Sequence, residues 1–213
     1  MSGVKVWSNV QIAIQSAIAG TKTITGITKA NPGVATSTAH GYANGDYVTL
    51  TIQGMWQLDQ VVCRVANVTA NTFELEGIDT TAYDTFTSGT AQLITFGTTL
   101  SSVSDINVSG GDFQMIDVTT IHDNVKKEIP GSASPVSISM TANWDPSDAG
   151  LVALKSASDA RAQRAIRFTF SDSKKWVFNG YIGCTLSPTG QAQNKVSTPL
   201  TITAYGKPRA YTS

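Results

Sequence analysis

The side chains able to do chemistry are few and scattered through this chain of 213 residues. Its two histidines, His40 in Ala-His-Gly-Tyr and His122 in Ile-His-Asp, each lack a second His or Cys at ligand spacing, so both are expected to be ordinary loop residues and no metal site is assigned. His122 beside Asp123 outlines an acid–base pair, but serine is so abundant that a triad completed on paper carries no information. Gly110-Gly111-Asp112 lacks the following Lys-Ser/Thr of a P-loop and the spacing of a dinucleotide fingerprint, and reads as a turn. Asp145 and Asp148 would suit glycosidic acid–base work if they lined a cleft. Around Pro146 they are better explained as helix-capping residues, with Asp145 as the cap and Pro146 in the first helical position. Cys63 and Cys184 show no CxxC spacing and are expected as two buried thiols of a reducing compartment. No catalytic, cofactor-binding or metal-binding residue is assigned, and no cofactor is expected. An enzyme ranks third among the readings.

Composition points to assembly instead of catalysis. Hydrophobic residues make up 41% and charged residues only 14% of the chain, and fifteen bases cancel fifteen acids. Tight electrostatic binding to nucleic acid needs a basic excess or stripe that is missing here, while a sparsely charged, neutral surface favours association. No stretch has the length of a membrane span, and the opening residues lack the design of a signal peptide, so no membrane partner is expected. The densest charges are Lys126-Lys127-Glu128 and the trio Arg161, Arg164 and Arg167. The arginines follow a helix end, where cations suit the dipole; the sharper alternative is ion pairing between subunits.

The elements that must position these residues read as mostly β. Val4, Val6, Val10, Ile12 and Ile14 alternate in an opening strand or strand pair, Val4 to Ile18, ending at Ala19-Gly20. From Ile24 to Gln92, turn signals at Asn31-Pro32-Gly33, Asn44-Gly45-Asp46 and Gly54 separate short runs, Tyr47 to Ile52, Val61 to Val68 and Thr72 to Leu75. This stretch has two bases, Lys29 and Arg64, against six acids, a net of −4 that leaves +4 elsewhere. Strands are expected at Leu93 to Phe96, Val103 to Val108 and around Phe113 and Met115. Thr119 to Pro135 is expected to be a long polar loop because of Pro130-Gly131 and Pro135. Val136, Ile138 and Met140 alternate with Ser137 and Ser139. A helix follows through about Ser158, with Leu151, Val152, Leu154, Ala149, Ala153 and Ala157 expected to supply its apolar face. Ile166, Phe168 and Phe170 then form a hairpin with Trp176, Phe178 and Ile182. The last strand, Leu200 to Tyr205, starts at an edge because of Pro199, and a basic, flexible end follows.

This order resembles the tail tube proteins of long-tailed phages with non-contractile tails, the lambda-like tail tube family. The resemblance is carried by Ile116-Asp117-Val118-Thr119-Thr120, by Lys127-Glu128-Ile129-Pro130-Gly131, and by the Trp144 to Leu154 helix leading into Phe168-Thr169-Phe170. It covers about residues 93–207 and the opening strand. It implies a β-sandwich with one flanking α-helix, assembled as stacked homohexameric rings whose inner strands form a barrel around a lumen. It also implies a location in the virion tail after assembly in the host cytoplasm. The partners so implied are the chain itself, the tape measure in the lumen, the tail terminator and the distal tail protein, with DNA passing transiently and without tight binding. Residues 24–92 depart from the simple pattern and resemble a small β-module of phage structural proteins, through Ile27 to Gly33, His40-Gly41-Tyr42 and Asn71 to Leu75.

The resulting expectation is a structural subunit with a ring-forming domain, 1–23 and 93–213, and an inserted peripheral β-module, 24–92. His122, Asp123, Asn124, Lys126, Lys127 and Glu128 are the candidates for an inter-ring stacking loop. Ser137, Ser139, Thr201 and Thr203 are candidates for a lumen-facing surface. The runner-up is a surface adhesin or carbohydrate-binding module, in which Trp56 or Tyr83 stacks on sugars; the plainer expectation for Trp56 is a buried core aromatic. Rings or tubes of the purified protein would favour the first reading, a persistent monomer the second.

Overall fold

The computed structural model describes residues 7–212, which form a mostly β protein with one α-helix. β1 (Gln11–Ile24) is followed by β2 (Gly26–Ile27), β3 (Val34–Thr36), β4 (Tyr47–Gln53), a 3-10 turn at Trp56–Leu58, β5 (Val62–Ala66), β6 (Thr72–Leu75) and β7 (Ser88–Leu100). β8 (Val103–Ser109), β9 (Phe113–Asp117), β10 (Glu128–Ala133) and β11 (Ser137–Asn143) lead to helix α1 (Ala149–Asp159). β12 (Gln163–Thr169), β13 (Lys175–Cys184) and β14 (Ser197–Tyr211) complete the order. Twelve strands share one sheet, β2-β3-β6-β5-β4-β7-β1-β12-β13-β14-β11-β8, and β9 pairs with β10 alone.

Two strands are longer than their residues suggest. Val4 and Val6 lie outside the described residues, and β1 does not stop at Ala19-Gly20. It pairs with β7 from Ile12↔Leu100 to Ile24↔Gly89, and a register shift between Ala19 and Thr21 absorbs Gly20. The glycine marks an irregularity inside the strand, not its end. From Ser88 to Ile94, β7 pairs with β4 on its other edge. The long β1–β7 pair is therefore a spine shared by two cores.

At one end of the spine, Ile24, Leu50, Ile52, Met55, Leu58, Phe73, Leu75 and Ile78 bury one another, and every member of this cluster falls between residues 24 and 91. At the other end, Ile12, Ile14 and Leu100 join Ile138, Met140, Phe168, Phe178, Leu200 and Ile202 beneath Leu151 and Leu154 of α1. β1 and β11 are separated by three strands in the sheet, so their meeting in one core requires the sheet to curl. A third cluster joins Tyr47, Val62 and Ile94 to Ala165, Val177 and Tyr211. Here the Tyr211 hydroxyl accepts from the Arg64 backbone N–H at 2.9 Å, and the Arg64 guanidinium, paired with Glu76, lies 4.8 Å from the Tyr211 ring centre.

That anchor corrects the expectation of a flexible C-terminal end, because β14 runs through Lys207 and Arg209 to a buried Tyr211. Nor is β14 an edge strand. It lies between β13 and β11, and Pro199 sits one residue beyond the last β13 pair, Cys184↔Leu200, where only β11 is alongside. The helix cap is displaced too. Asp148, not Asp145, caps α1, with Oδ1 accepting from Gly150 N at 2.7 Å and Leu151 N at 3.1 Å. Asp145 accepts from Ser147 N at 2.8 Å, a local turn that holds Pro146 outside the helix.

Candidate assembly surfaces

The segment expected as a loop from Thr119 to Pro135 is in part a strand. β10 occupies Glu128–Ala133 and pairs with β9 through Glu128↔Asp117, Ile129↔Ile116 and Pro130↔Met115, ending at Ala133↔Phe113 after a register shift. Pro130-Gly131 disguised it, yet proline is tolerated in a strand with an open edge, and both strands of this arm have one. The arm leaves the sheet through Gly110 and Gly111, at φ +85° and +87°. A Cβ on Gly110 would fall 2.2 Å from the Pro135 carbonyl oxygen, so only glycine fits this hinge.

A two-stranded hairpin has no second layer, and this one leaves its apolar side chains in water. Phe113, Met115, Ile116 and Ile129 are exposed along the strands, Val118 just beyond β9, and at the tip Ile121 is 97% and Val125 72% exposed. Isolated hairpins of this size are marginal, and contiguous exposed apolar surface marks an interaction site. The charged candidates lie around the same tip. Asp123 accepts from Thr120 N at 3.0 Å and pairs with Lys127, and Lys126 reaches Glu128 at 2.5 Å. The Lys127 bond, then the Thr120 bonds, hold the Asp123 carboxyl below the usual carboxylate range. These charges thus shape the tip from within, and His122 and Asn124 are exposed beside them. The apolar side chains were missed as a site, although Ile121, Val125 and Ile129 recur at fourfold spacing in the sequence.

The four hydroxyl candidates come together on one face. Ser137 is opposite Thr203, which is opposite Tyr181, and Ser139 is opposite Thr201, which is opposite Gly183. On the other flank of β11, Ser109 and Asn107 continue the two rows. Ser139, Thr201 and Thr203 are exposed and Ser137 is half-buried, while Ile138, Met140, Leu200 and Ile202 point into the core. The adjoining row is Asp105, Thr141 and Pro199. These rows hold hydroxyls, an amide and a carboxylate but no cation, so they offer a phosphate backbone no ion pair.

The arginine trio is not gathered into one site. Arg161 is exposed after α1, Arg164 donates to the Gln163 carbonyl at 3.0 Å, and Arg167 lies 4.6 Å from the Phe96 ring centre and 5.6 Å from that of Tyr47. His40 is buried: its Nδ1 accepts from Tyr42 N at 3.0 Å, leaving Nε2 to donate to the Thr72 carbonyl at 3.3 Å. Cys63 and Cys184 are buried free thiols, and burial pushes Cys63 up to about 12. Among the described residues, no three His, Cys, Asp or Glu side chains are grouped to hold a metal ion. Trp56 is not a core aromatic; Met55 and Leu58 fill the core around it, and Trp56 itself is 64% exposed.

Residues 53–213 match the family described as phage tail tube protein, TTP, a span of about three quarters of the chain. Among solved structures, the chain is similar to a protein in the tail of an empty gene transfer agent particle of C6 symmetry. The identity is 15% over 52% of this chain and 83% of that one, with a TM-score of 0.40. It is also similar to a chain in the virion of a native gene transfer agent particle, at 14% identity over 53% and 87% of the two chains and a TM-score of 0.41. No curated protein sequence matches it.

Proposed function

The chain belongs to the phage tail tube protein family, and from that premise we propose that it is the repeating subunit of stacked hexameric rings that form a conduit for DNA ejection. The observation that carries the reading is the arm: a two-stranded sheet with both edges open and with Phe113, Ile121 and Val125 in water. A neighbouring copy would supply the missing layer. Burying four such side chains contributes on the order of 6–12 kcal/mol, comparable with the roughly 4–15 kcal/mol lost when two bodies associate. One arm contact therefore holds a pair weakly, and ring closure plus stacking makes the tube cooperative. Deleting His122 to Lys127 tests this directly. The expected result, by electron microscopy, is a folded subunit that no longer forms tubes; tubes of normal length and stability would remove the arm from the stacking contact.

In this reading the hydroxyl rows around Ser139 and Thr201 line the lumen, so DNA slides past without salt-dependent binding. Tape measure, tail terminator and distal tail proteins are the further partners. Assembly takes place in the host cytoplasm and no catalytic step is assigned. The residues clustered between 24 and 91 form a peripheral module on the outside of the tube, whose net charge of −4 limits tube-to-tube aggregation. Replacing residues 24–92 by a Gly/Ser linker is expected to leave rings with a thinner outer profile. A deleted chain that folds but cannot form rings would place the module in the contact between subunits.

A further inference from the structure

We infer that the cleft between the Trp56 turn and the outer part of β14 binds an acidic saccharide, a sugar ring carrying one carboxylate or phosphate. The cleft has a volume of about 510 Å³ and is lined by Trp56, Asp59 and Tyr83 on one wall and by Tyr205, Lys207 and Arg209 on the other.

The first wall is a rigid platform. Gly54, at φ +86°, lies where an added Cβ would meet the Thr85 carbonyl oxygen at 2.3 Å, so the chain passes there without a side chain. Asp59 Oδ1 accepts from Ile52 N at 2.9 Å, and Gln57 donates from Nε2 to Asp84 Oδ2 at 2.9 Å. These bonds fix the turn, so a ligand meets a preformed surface. Met55 and Leu58 are fully buried, whereas Trp56 is largely exposed and leaves indole surface open to a ligand. On β14, Tyr205 is likewise exposed.

The charges select the ligand. Among the described residues, neither Lys207 nor Arg209 enters an ion pair, and the buried Nε of Arg209 has no hydrogen-bond partner. A buried donor left unpaired is unfavourable, and Arg209, which also lines the cleft, brings there a cation that no carboxylate neutralises. Aromatic rings on both walls suit the flat C–H face of a pyranose, and Asp59 Oδ2 can accept from a sugar hydroxyl. With two cations and one carboxylate the cleft carries a single positive charge. That matches one acidic group on a sugar, whereas a nucleic acid strand needs a basic track longer than these two cations.

The test titrates the full-length chain with a hyaluronan tetrasaccharide, glucose 6-phosphate, maltotetraose, tetrathymidylate and tetraglutamate, read by calorimetry and tryptophan fluorescence. At least one acidic saccharide is expected to bind tenfold or more tightly than maltotetraose; which one does so distinguishes carboxylate from phosphate. Trp56→Ala should weaken that binding at least tenfold, and Lys207→Ala, on an exposed side chain, about three- to tenfold, with loss of the preference for acidic over neutral sugar. Equal binding of maltotetraose, tighter binding of tetrathymidylate or tetraglutamate, no binding, or unchanged affinity in Trp56→Ala would each overturn the site. Tube assembly of Trp56→Ala is scored in parallel: normal tubes are expected, and their loss would place Trp56 between copies and overturn the saccharide assignment while leaving the tube subunit standing.

Discussion

The β2–β6 region and the β9–β10 arm are both built from short antiparallel strands, and they treat their apolar side chains in opposite ways. In the first, Phe73, Leu75, Ile78 and Leu50 are fully buried by neighbours from the same stretch of chain. In the second, Phe113, Met115, Ile116 and Ile129 have only each other, and remain exposed. A region that closes over its own core is specified by folding; one that stays open needs another molecule to complete it. Under the proposed function, the difference separates what holds the subunit together from what would join subunits.

The largest effect is expected from Ile121→Asp combined with Val125→Asp: tube formation is lost, while thermal unfolding of the subunit stays within about 0.5 kcal/mol, as for exposed positions generally. Electron microscopy and a melting curve on one sample measure both. Phe73→Ala should reverse the pattern, destabilising the subunit by about 3–5 kcal/mol through a core cavity. Calorimetry decides it, and a change under 1 kcal/mol would mean that the β2–β6 core is not the tight unit described. Tyr211→Phe removes the acceptor of the Arg64 N–H and is expected to destabilise by about 1–3 kcal/mol, measured by denaturant unfolding. The smallest effect is local and depends on pH. The Asp123 carboxyl titrates below its ordinary value when folded, so its bonds to Lys127 and Thr120 stabilise the tip above the usual carboxylate range and are lost as pH falls through the depressed value. NMR of the Thr120 amide should show this transition, and Asp123→Asn should abolish it.

Much of the fold was legible because period and punctuation agreed. β6 at Thr72–Leu75 and the alternation of Ser137 and Ser139 with Ile138 and Met140 could be read directly, and with them the hydroxyls that share a face. What joins those hydroxyls to Thr201 and Thr203 is cross-strand register between distant segments, which no local pattern encodes. The length of β1 was hidden by Gly20, which read as a break but is carried by pairing with β7. β10 was hidden by Pro130, whose missing N–H matters little at an open edge. The cap moved from Asp145 to Asp148 because both residues carry the same chemistry and only the Ser147 turn chooses between them. The exposure of Trp56 depends on Met55 and Leu58 filling the core first, a packing outcome invisible in the residue itself.

In the proposed assembly the arm is incomplete in one subunit and completed by another. Hydrogen exchange of the arm amides, residues 113–133, compared between dilute subunit and assembled tubes, decides it. The prediction is rapid exchange in the free subunit, since a lone hairpin is marginally stable, and protection rising at least a hundredfold on assembly, while β6 amides are protected in both states. Arm amides already protected in the free subunit, or still exchanging rapidly in tubes, would contradict it.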